Sequence, residues 1–323
     1  MYDMITIGDT KLDTFVVLDE ASLQCQLKMP DCQLCIAYGE KIVVDVVASQ
    51  IAGTAPNVAT GLSRMGLKTA VISNMGADGT YQLAIDTLKT EKVATRYLHR
   101  VMNEMSSYSV VLNYKGEKTL LTSHIRHAYR LPKPLPKSKW IYISEMGPGY
   151  ENLYRQVVGR AKANNIHIAL NPGTIQITER KTFLFDLMKK TYVLFVNLEE
   201  AQRIAEEETL EIHRLATALY KMGPKQVVIT DGKRGAYAFD GNYLHFCPIF
   251  PGRSIEATGA GDAFSTGYIG ALMNGQLHDE ALRWGAVSAA SVVGFVGPTK
   301  GLLSVAKIRS RLNKRPSFRV KEM

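Results

Sequence analysis

The chain of 323 residues contains only four cysteines, Cys25, Cys32, Cys35 and Cys247. The last lies far from the others, so a disulfide framework is not expected. Cys32 and Cys35 form one CxxC pair, but structural zinc needs four ligands and usually a second spaced pair, which is missing. We therefore expect thiols that pack or lie at the surface.

Long apolar runs are also missing. No run reaches the roughly 18 residues that a membrane span requires, and the first residues, "MYDMITIGDT", have neither the basic start nor the apolar segment of a secretion signal. These two absences predict a cytoplasmic protein without a membrane partner.

Charge of one sign is not concentrated enough to indicate a nucleic-acid surface. The formal charge of +9 is spread along the chain, apart from the basic stretch 307–323. Nucleic-acid binding would call for a basic stripe with aromatics, so we expect an anionic small ligand instead. The basic stretch is predicted to be a solvated terminal helix with a frayed end.

Several catalytic signatures are absent. The chain has no GxxxxGK[ST], no HExxH and no GxSxG, which argues against a P-loop protein, a zinc protease and a serine hydrolase. In "GAGDAF", Phe264 stands where a dinucleotide fingerprint needs its third glycine, so a Rossmann cofactor is also disfavoured.

What the sequence does contain is an alternation of strand-like and helical segments, which predicts an α/β fold with a largely parallel sheet covered on both faces. Residues 14–50 and 97–127 interrupt it with short strand patterns and no helices. They are predicted to form a small β subdomain, with Gly116 in a hairpin turn. Residues 1–13, 51–96 and 128–323 would form one α/β core.

The segment "EATGAGDAF", residues 256–264, leads small residues into an apolar helix. The helix is expected to begin near Ala260 after Thr258 or Gly259. Backbone amides of Gly259, Ala260 and Gly261 would then form an anion site. A carboxylate there suits a base that takes a proton from a hydroxyl during phosphoryl transfer, which is the role predicted for Asp262. Alternatively, Asp262 only complements the helix dipole.

Two motifs resemble those of the ribokinase-like, or PfkB, family of sugar and nucleoside kinases. One is "GAGD" before the apolar helix, and the other is residues 52–79, "AGTAPNVATGLSRMGLKTAVISNMGADG". They lie about 200 residues apart in the family's order, and the resemblance covers nearly the whole chain. It implies a three-layer core with a mostly parallel central sheet, a β lid, and a homodimer formed through that lid.

The resemblance also implies a nucleotide side. In "VNLEEA", Asn197 and Glu200 would organise Mg²⁺, mainly through water, which agrees with the waters that magnesium keeps. "TDGKRGAYAF" resembles the family's nucleotide loop, although a tight turn explains Gly235 equally well. The residues expected to face ATP are Thr230, Gly232 and Gly235 in that loop, and Ala286, Ala289 and Ser291 against adenine.

The acceptor side would be formed by Asp13, Gly53, Asn57 and Glu145, again by resemblance. Glycine permits close backbone approach, and an amide offers both a donor and an acceptor. Alternatively, Asp13 is an exposed loop residue and Asn57 is a helix cap.

The chain departs from the family pattern at Glu256 and Ala257, where family members commonly have Asp and a residue with a hydroxyl group. Glu256 is therefore a candidate ligand for a monovalent cation such as K⁺, and whether the protein requires such a cation is left open. Thr54 and Ala55 supply no Lys or Arg, which weighs against a phosphorylated sugar. "TSHIRHAYR", residues 122–130, is expected to be a solvated face, and the alternative is that its basic residues reach an anionic substrate. His124 and His127 are too isolated for a metal site.

The sequence therefore predicts an ATP-dependent kinase acting on a primary hydroxyl of a small sugar. A nucleoside kinase is the nearest alternative and would need a shelf for the base, for which Tyr38, Tyr108 and Tyr114 are candidates. A catalytically silent ligand-binding relative is disfavoured because Asp262 and both motifs are intact.

Overall fold

Alternating strands and helices build the chain in its computed structural model, which describes residues 1–18, 22–25, 32–114 and 117–323. The strands are β1 Tyr2–Ile7, β2 Lys11–Leu18, β3 Ser22–Cys25, β4 Cys32–Cys35, β5 Val44–Ala52, β6 Thr69–Gly76, β7 Ala94–Val101, β8 Ser107–Tyr114, β9 Glu117–Ser123, β10 Ser138–Ile143, β11 His167–Leu170, β12 Thr191–Asn197, β13 Gln226–Thr230, β14 Ala236–Phe239, β15 Leu244–Cys247 and β16 Lys321–Glu322.

The helices follow the apolar periodicity of the sequence. They are α1 Thr54–Arg64, α2 Gly79–Thr90, α3 Glu151–Asn164, α4 Thr174–Glu179, α5 Thr182–Met188, α6 Leu198–Ala205, α7 Ile212–Lys221, α8 Ala260–Met273, α9 His278–Val292 and α10 Val305–Asn313, with a 3₁₀ turn at Gly232–Arg234. In the described part of the chain no helix is both long and apolar enough to cross a membrane.

The large sheet has ten strands in the order β16-β15-β14-β13-β12-β11-β10-β1-β6-β7. The seven strands from β13 to β7 run parallel, and β14 to β16 add an antiparallel edge. Successive side chains of a strand point to opposite faces, and in β1 Met4 belongs to one apolar core while Ile5 and Ile7 belong to another. The predicted largely parallel sheet with both faces covered is confirmed.

The small sheet, in the order β5-β2-β8-β9, comes from the two regions that lack helices. Its limits differ from the expected ones. Residues 97–101 belong to β7 of the large sheet, where Leu98 is buried in a core with β6 and α2. Conversely, β2 begins at Lys11, so Asp13 belongs to the small sheet. Gly116, expected in the hairpin turn, lies outside the described residues.

The basic C-terminal stretch does not fray as expected. After α10, Phe318 is buried and packs edge-on against Phe250, with ring centroids 5.0 Å apart. Lys321–Glu322 then pairs with β15 as the edge strand of the large sheet. The buried Phe318 ring attaches this tail to the core, which the basic composition of the tail does not indicate.

Candidate active site

The candidate site lies where the parallel strands end. In such sheets ligands bind beyond the carboxyl ends of the strands, at the point where the strand order reverses. Here the chain leaves β1 toward β6 on one side and returns to β10 on the other. A cavity of about 220 Å³ opens there, and its lining residues are Thr54, Glu145, Asn171, Pro172, Gly173, Thr174, Phe195, Val196, Asn197, Glu200, Thr230, Gly261 and Asp262.

The glycine-rich loop opens α8 as predicted. The helix begins at Ala260, and Gly259 is its N-cap with φ 78°. A Cβ atom on Gly259 would come within 2.4 Å of Pro298 Cβ, so only glycine fits. The space next to Gly261 is open, since no atom outside the adjoining residues and the backbone of its own helix lies within 4 Å of a Cβ built there. Of the three predicted amide donors, that of Ala260 donates to the Ala257 carbonyl at 3.3 Å.

Asp262 is held by the other family motif. Asn57 Nδ2 donates to Asp262 Oδ2 at 2.7 Å, across 205 residues of sequence. Burial raises the pKa of Asp262, and hydrogen bonds from Asn57 and Thr54 oppose that rise. A carboxylate with a raised pKa that is fixed in one orientation suits a general base.

Gly53, rather than Asn57, caps α1, so the alternative in which Asn57 is a helix cap is wrong. Gly53 has φ 115°, and a Cβ atom there would come within 2.2 Å of the Asp9 carbonyl oxygen. This close approach to the loop after β1 requires glycine. It places the start of α1, and with it Asn57, beside that loop.

Asp13 is not an exposed loop residue. It lies in β2 with 3% of its surface accessible, and burial raises its pKa to about 6 against the opposing charge of Lys11. Two buried oxygens, Asp13 Oδ1 and Asn57 Oδ1, have no hydrogen-bond partner within the protein. Buried polar atoms are nearly always paired, so these two acceptors near Asp262 are available to a bound hydroxyl group or water molecule.

Sequence reasoning missed a charged cluster around Glu145. Lys11 Nζ and His124 Nε2 each lie 3.0 Å from Glu145 Oε1, and His124 Nδ1 lies 3.3 Å from Asp9 Oδ2. Tyr129 Oη donates to Asp9 Oδ1 at 2.5 Å. Burial raises the pKa of Glu145, but the charge of Lys11 and the hydrogen bond from His124 outweigh burial and lower that pKa to about 2. The signal was the crowding of charges in "GDTKLD", directly after a buried strand.

His124 and His127 are therefore not a solvated face. The hydrogen bonds that His124 donates to Asp9 and Glu145 raise its pKa to about 9. The buried His127 Nδ1 lies 2.6 Å from Glu104 Oε2. Charge complementarity draws both rings inward, which a single basic segment cannot indicate without its acidic partners.

His124→Gln is expected to lower the free energy of unfolding by about 2 kcal/mol at pH 6, because it removes charged hydrogen bonds. The pKa of His124 is about 9 when folded, against about 6.5 when unfolded. Its contribution is therefore fully present below pH 6.5 and is lost as the pH rises through 9. Urea unfolding from pH 6 to 10 measures this, with exposed His99→Gln as control. A difference from wild type that does not shrink with pH would contradict the assignment.

On the side predicted to bind the nucleotide, Asn197 ends β12 and Glu200 lies in the first turn of α6. Glu200 N donates to Asn197 Oδ1 at 2.8 Å and Asn197 N donates to Glu200 Oε2 at 2.9 Å, a reciprocal capping box. Burial raises the pKa of Glu200 to about 7. A carboxylate and an amide oxygen on the cavity wall have the oxygen chemistry that Mg²⁺ prefers, so these residues fit that ion.

The remaining predicted residues surround this wall. Thr230 lines the cavity at the end of β13. Gly235 is explained by packing, since a Cβ atom there would meet the Cys247 carbonyl oxygen at 2.4 Å. Gly232 opens the 3₁₀ turn with open space around it. Three predicted residues, Ala286, Ala289 and Ser291, lie on the C-terminal half of α9, outside the cavity lining.

Glu256 is buried beside the glycine-rich loop. Its Oε1 accepts a hydrogen bond from Thr258 N at 2.5 Å, and its Oε2 accepts one from Gly297 N at 3.3 Å. The carboxylate thus joins the segment before α8 to the loop after α9. A carboxylate oxygen has more than one acceptor position, so these two hydrogen bonds leave the carboxylate able to coordinate a cation as well.

A family model for the pfkB family carbohydrate kinases matches residues 13–304 of the chain. The chain is 23% identical to an ATP-dependent 6-phosphofructokinase of Thermoanaerobacterium thermosaccharolyticum, over 96% of this chain and 93% of that protein. It is 23% identical to a cytidine kinase of Thermococcus kodakarensis, over 91% and 96%. It is 25% identical to a ribokinase of Bacillus subtilis, over 94% and 96%.

Solved structures are similar over the whole chain. Arabidopsis thaliana ribokinase complexed with ribose and ATP has a TM-score of 0.77 at 20% identity, covering 96% of this chain and 98% of that one. A Burkholderia thailandensis nucleoside kinase in complex with inosine has a TM-score of 0.78 at 16% identity, covering 98% and 99%. At these identities the likeness shows a shared fold.

Proposed function

Because the chain belongs to the pfkB family of carbohydrate kinases, we propose that it transfers the γ-phosphoryl group of ATP to a primary hydroxyl of a small sugar. One observation carries the proposal. Asp262, bonded to Asn57, shares a cavity with Glu200, and the unpaired oxygens of Asp13 and Asn57 lie beside it. This arrangement provides a base, acceptors for sugar hydroxyls and a place for MgATP.

In the proposed reaction the acceptor hydroxyl gives its proton to Asp262. The resulting alkoxide oxygen forms a bond to the γ-phosphorus while the bond from that phosphorus to the β,γ-bridging oxygen breaks, releasing ADP. The backbone amides of Gly259 and Gly261 stabilise the charge on the transferred group, whereas that of Ala260 donates to the Ala257 carbonyl. Asp13, Gly53 and Asn57 orient the acceptor, and orientation accounts for much of the rate gained.

Glu145 lines the cavity and is proposed to bind an acceptor hydroxyl, and it also pairs with Lys11 and His124 through Oε1. We also assign it to holding those two cations beside the acceptor. Asn197 and Glu200 would hold Mg²⁺, which neutralises phosphate charge when bound. Glu256 is the residue proposed for K⁺.

The test is MgATP turnover measured against ribose, fructose, 2-keto-3-deoxygluconate, adenosine, cytidine and other nucleosides. We expect phosphorylation of one or more of the sugars, with KM in the micromolar to millimolar range. Absence of turnover with every acceptor, in a protein that still binds MgATP, would refute the proposal.

A nucleoside acceptor is the second candidate, favoured by the cytidine kinase among the relatives. The predicted aromatic shelf receives little support, because Tyr38 is fully exposed and Tyr108 lies on the outer face of the small sheet. Turnover of nucleosides alone in the same assay would select this alternative.

We also propose that two copies associate through the outer face of the small sheet. Val46, Tyr108 and Leu121 lie on that face in successive rows of the sheet and are 63%, 39% and 55% exposed. Exposed apolar patches of this kind mark interaction surfaces. Val46→Asp is expected to shift a dimer toward monomer in light scattering, whereas Leu210→Asp, an exposed apolar residue elsewhere, is not. A monomeric wild type would contradict the proposal.

A further inference from the structure

We propose that Lys118, carried by the small sheet, supplies the cation that binds the γ-phosphoryl group of the nucleotide at the glycine-rich loop. The inference rests on the proposed kinase function and adds a residue that neither motif contains. Lys118 lies in β9, about 140 residues before the loop in sequence.

The contact that places Lys118 there is direct. Lys118 Nζ donates to Thr258 Oγ1 at 3.3 Å. Thr258 is buried and immediately precedes Gly259, the N-cap of α8. The ammonium group of Lys118 therefore contacts the residue next to the amides assigned to the phosphoryl group.

The orientation of β9 supports this placement. Residues at alternate positions of a strand share a face, so Lys118 and Thr122 point to the same side of the small sheet. Thr122 Oγ1 accepts from Ser109 Oγ at 3.2 Å, and Ser109 is also hydrogen-bonded to Asp13. Lys118 is therefore on the same face of the small sheet as Asp13, the acid proposed to bind the acceptor.

A second contact shows that the small sheet meets the catalytic loops at more than one point. Gln50 of β5 lies against Gly297, since a Cβ atom on that glycine would come within 1.7 Å of Gln50 Nε2. Gly297 N in turn donates to Glu256. With Lys118 on Thr258, the sheet touches both loops that Glu256 joins.

The described lining of the cavity includes three acids, Glu145, Glu200 and Asp262, and neither lysine nor arginine. The nearby cations Lys11 and His124 are paired with Glu145. A triphosphate carries several negative charges, so a further cation would stabilise its binding. A lysine on the sheet would add its charge only where the sheet covers the site, which couples phosphate binding to the exclusion of water.

The experiment compares Lys118→Met with Lys118→Arg and with Lys41→Met, an exposed lysine of the same subdomain. Calorimetry measures the Kd of Mg·AMP-PNP and of Mg·ADP without any acceptor. We expect Lys118→Met to weaken AMP-PNP binding about 10-fold and ADP binding less than about 2-fold, because only the former nucleotide has a γ-phosphoryl group. Lys118→Arg should recover most of the loss, and Lys41→Met should match wild type.

Equal weakening of both nucleotides, no weakening of either, or the same loss in Lys41→Met would overturn the assignment of Lys118. If wild type binds neither nucleotide, the proposed kinase function fails with it. If wild type binds both nucleotides and phosphorylates no acceptor, the acceptor proposal fails while the Lys118 comparison still decides its own question.

Discussion

Asp262→Asn is expected to lower kcat by about 1000-fold, the central range for removal of a general base. The amide retains the size of the carboxylate but cannot take the proton of the acceptor hydroxyl. Steady-state kinetics with the best acceptor of the panel measures kcat, and calorimetry measures acceptor binding. Because Asn57 would still face a polar group, we expect the Kd of the acceptor to stay within about 3-fold of wild type.

The matched control for this variant is Asp279→Asn. Asp279 occupies the first turn of α9, as Asp262 does in α8, so both substitutions remove a similar interaction with a helix dipole. Only Asp262 contacts Asn57 and the cavity. If the two variants lose activity equally, or if Asp262→Asn retains more than about a tenth of wild-type kcat, Asp262 is not the base.

Asp13→Asn is expected to reduce kcat/KM for the acceptor about 100-fold, mainly through KM. The buried Oδ1 of Asp13 has no partner within the protein, so a sugar hydroxyl would form its hydrogen bond there. Hydrogen bonds to a charged group are worth about 1.5–3 kcal/mol. In the variant, an amide NH₂ group at this position would also face the sugar hydroxyl, so that two hydrogen-bond donors would oppose each other. Asp45→Asn, an exposed acid on the paired strand β5, serves as the control.

The pH dependence gives a second measurement for the same residue. The pKa of Asp13 is raised to about 6, so its carboxylate form grows as the pH rises from 5 to 7. At saturating MgATP, kcat/KM for the acceptor should rise over that interval in wild type. This rise in kcat/KM should be absent in Asp13→Asn. A variant with the wild-type profile and KM would show that Asp13 does not bind the acceptor.

Much of the fold could be predicted because periodicity is a local property. Buried strands such as β10 and β12 read as apolar runs, and helices such as α9 read as apolar residues at helical spacing. The limits of the small sheet were less predictable. β7 has a strand pattern that suits either sheet, and its pairing with β6 is decided by a partner distant in sequence.

Within the site, the start of α8 and its glycine cap could be predicted because backbone geometry depends on neighbouring residues. The contact between Asn57 and Asp262 could be anticipated only through two family motifs. The cluster formed by Lys11, His124 and Glu145 was signalled only by the crowding of charges after β1, because the residues that pair with Lys11 and Asp9 lie far along the chain and each resembles a solvated surface residue.

The α/β class, the glycine-rich loop and the family follow from the residues alone, since these depend on order and spacing along the chain. The burial of Asp13, the position of His124 between two acids and the contact of Lys118 with Thr258 depend instead on how the chain folds. Burial, pKa and ion pairing depend on which groups meet across the chain. The energy of a charge is set by its surroundings, and the fold alone brings those surroundings together.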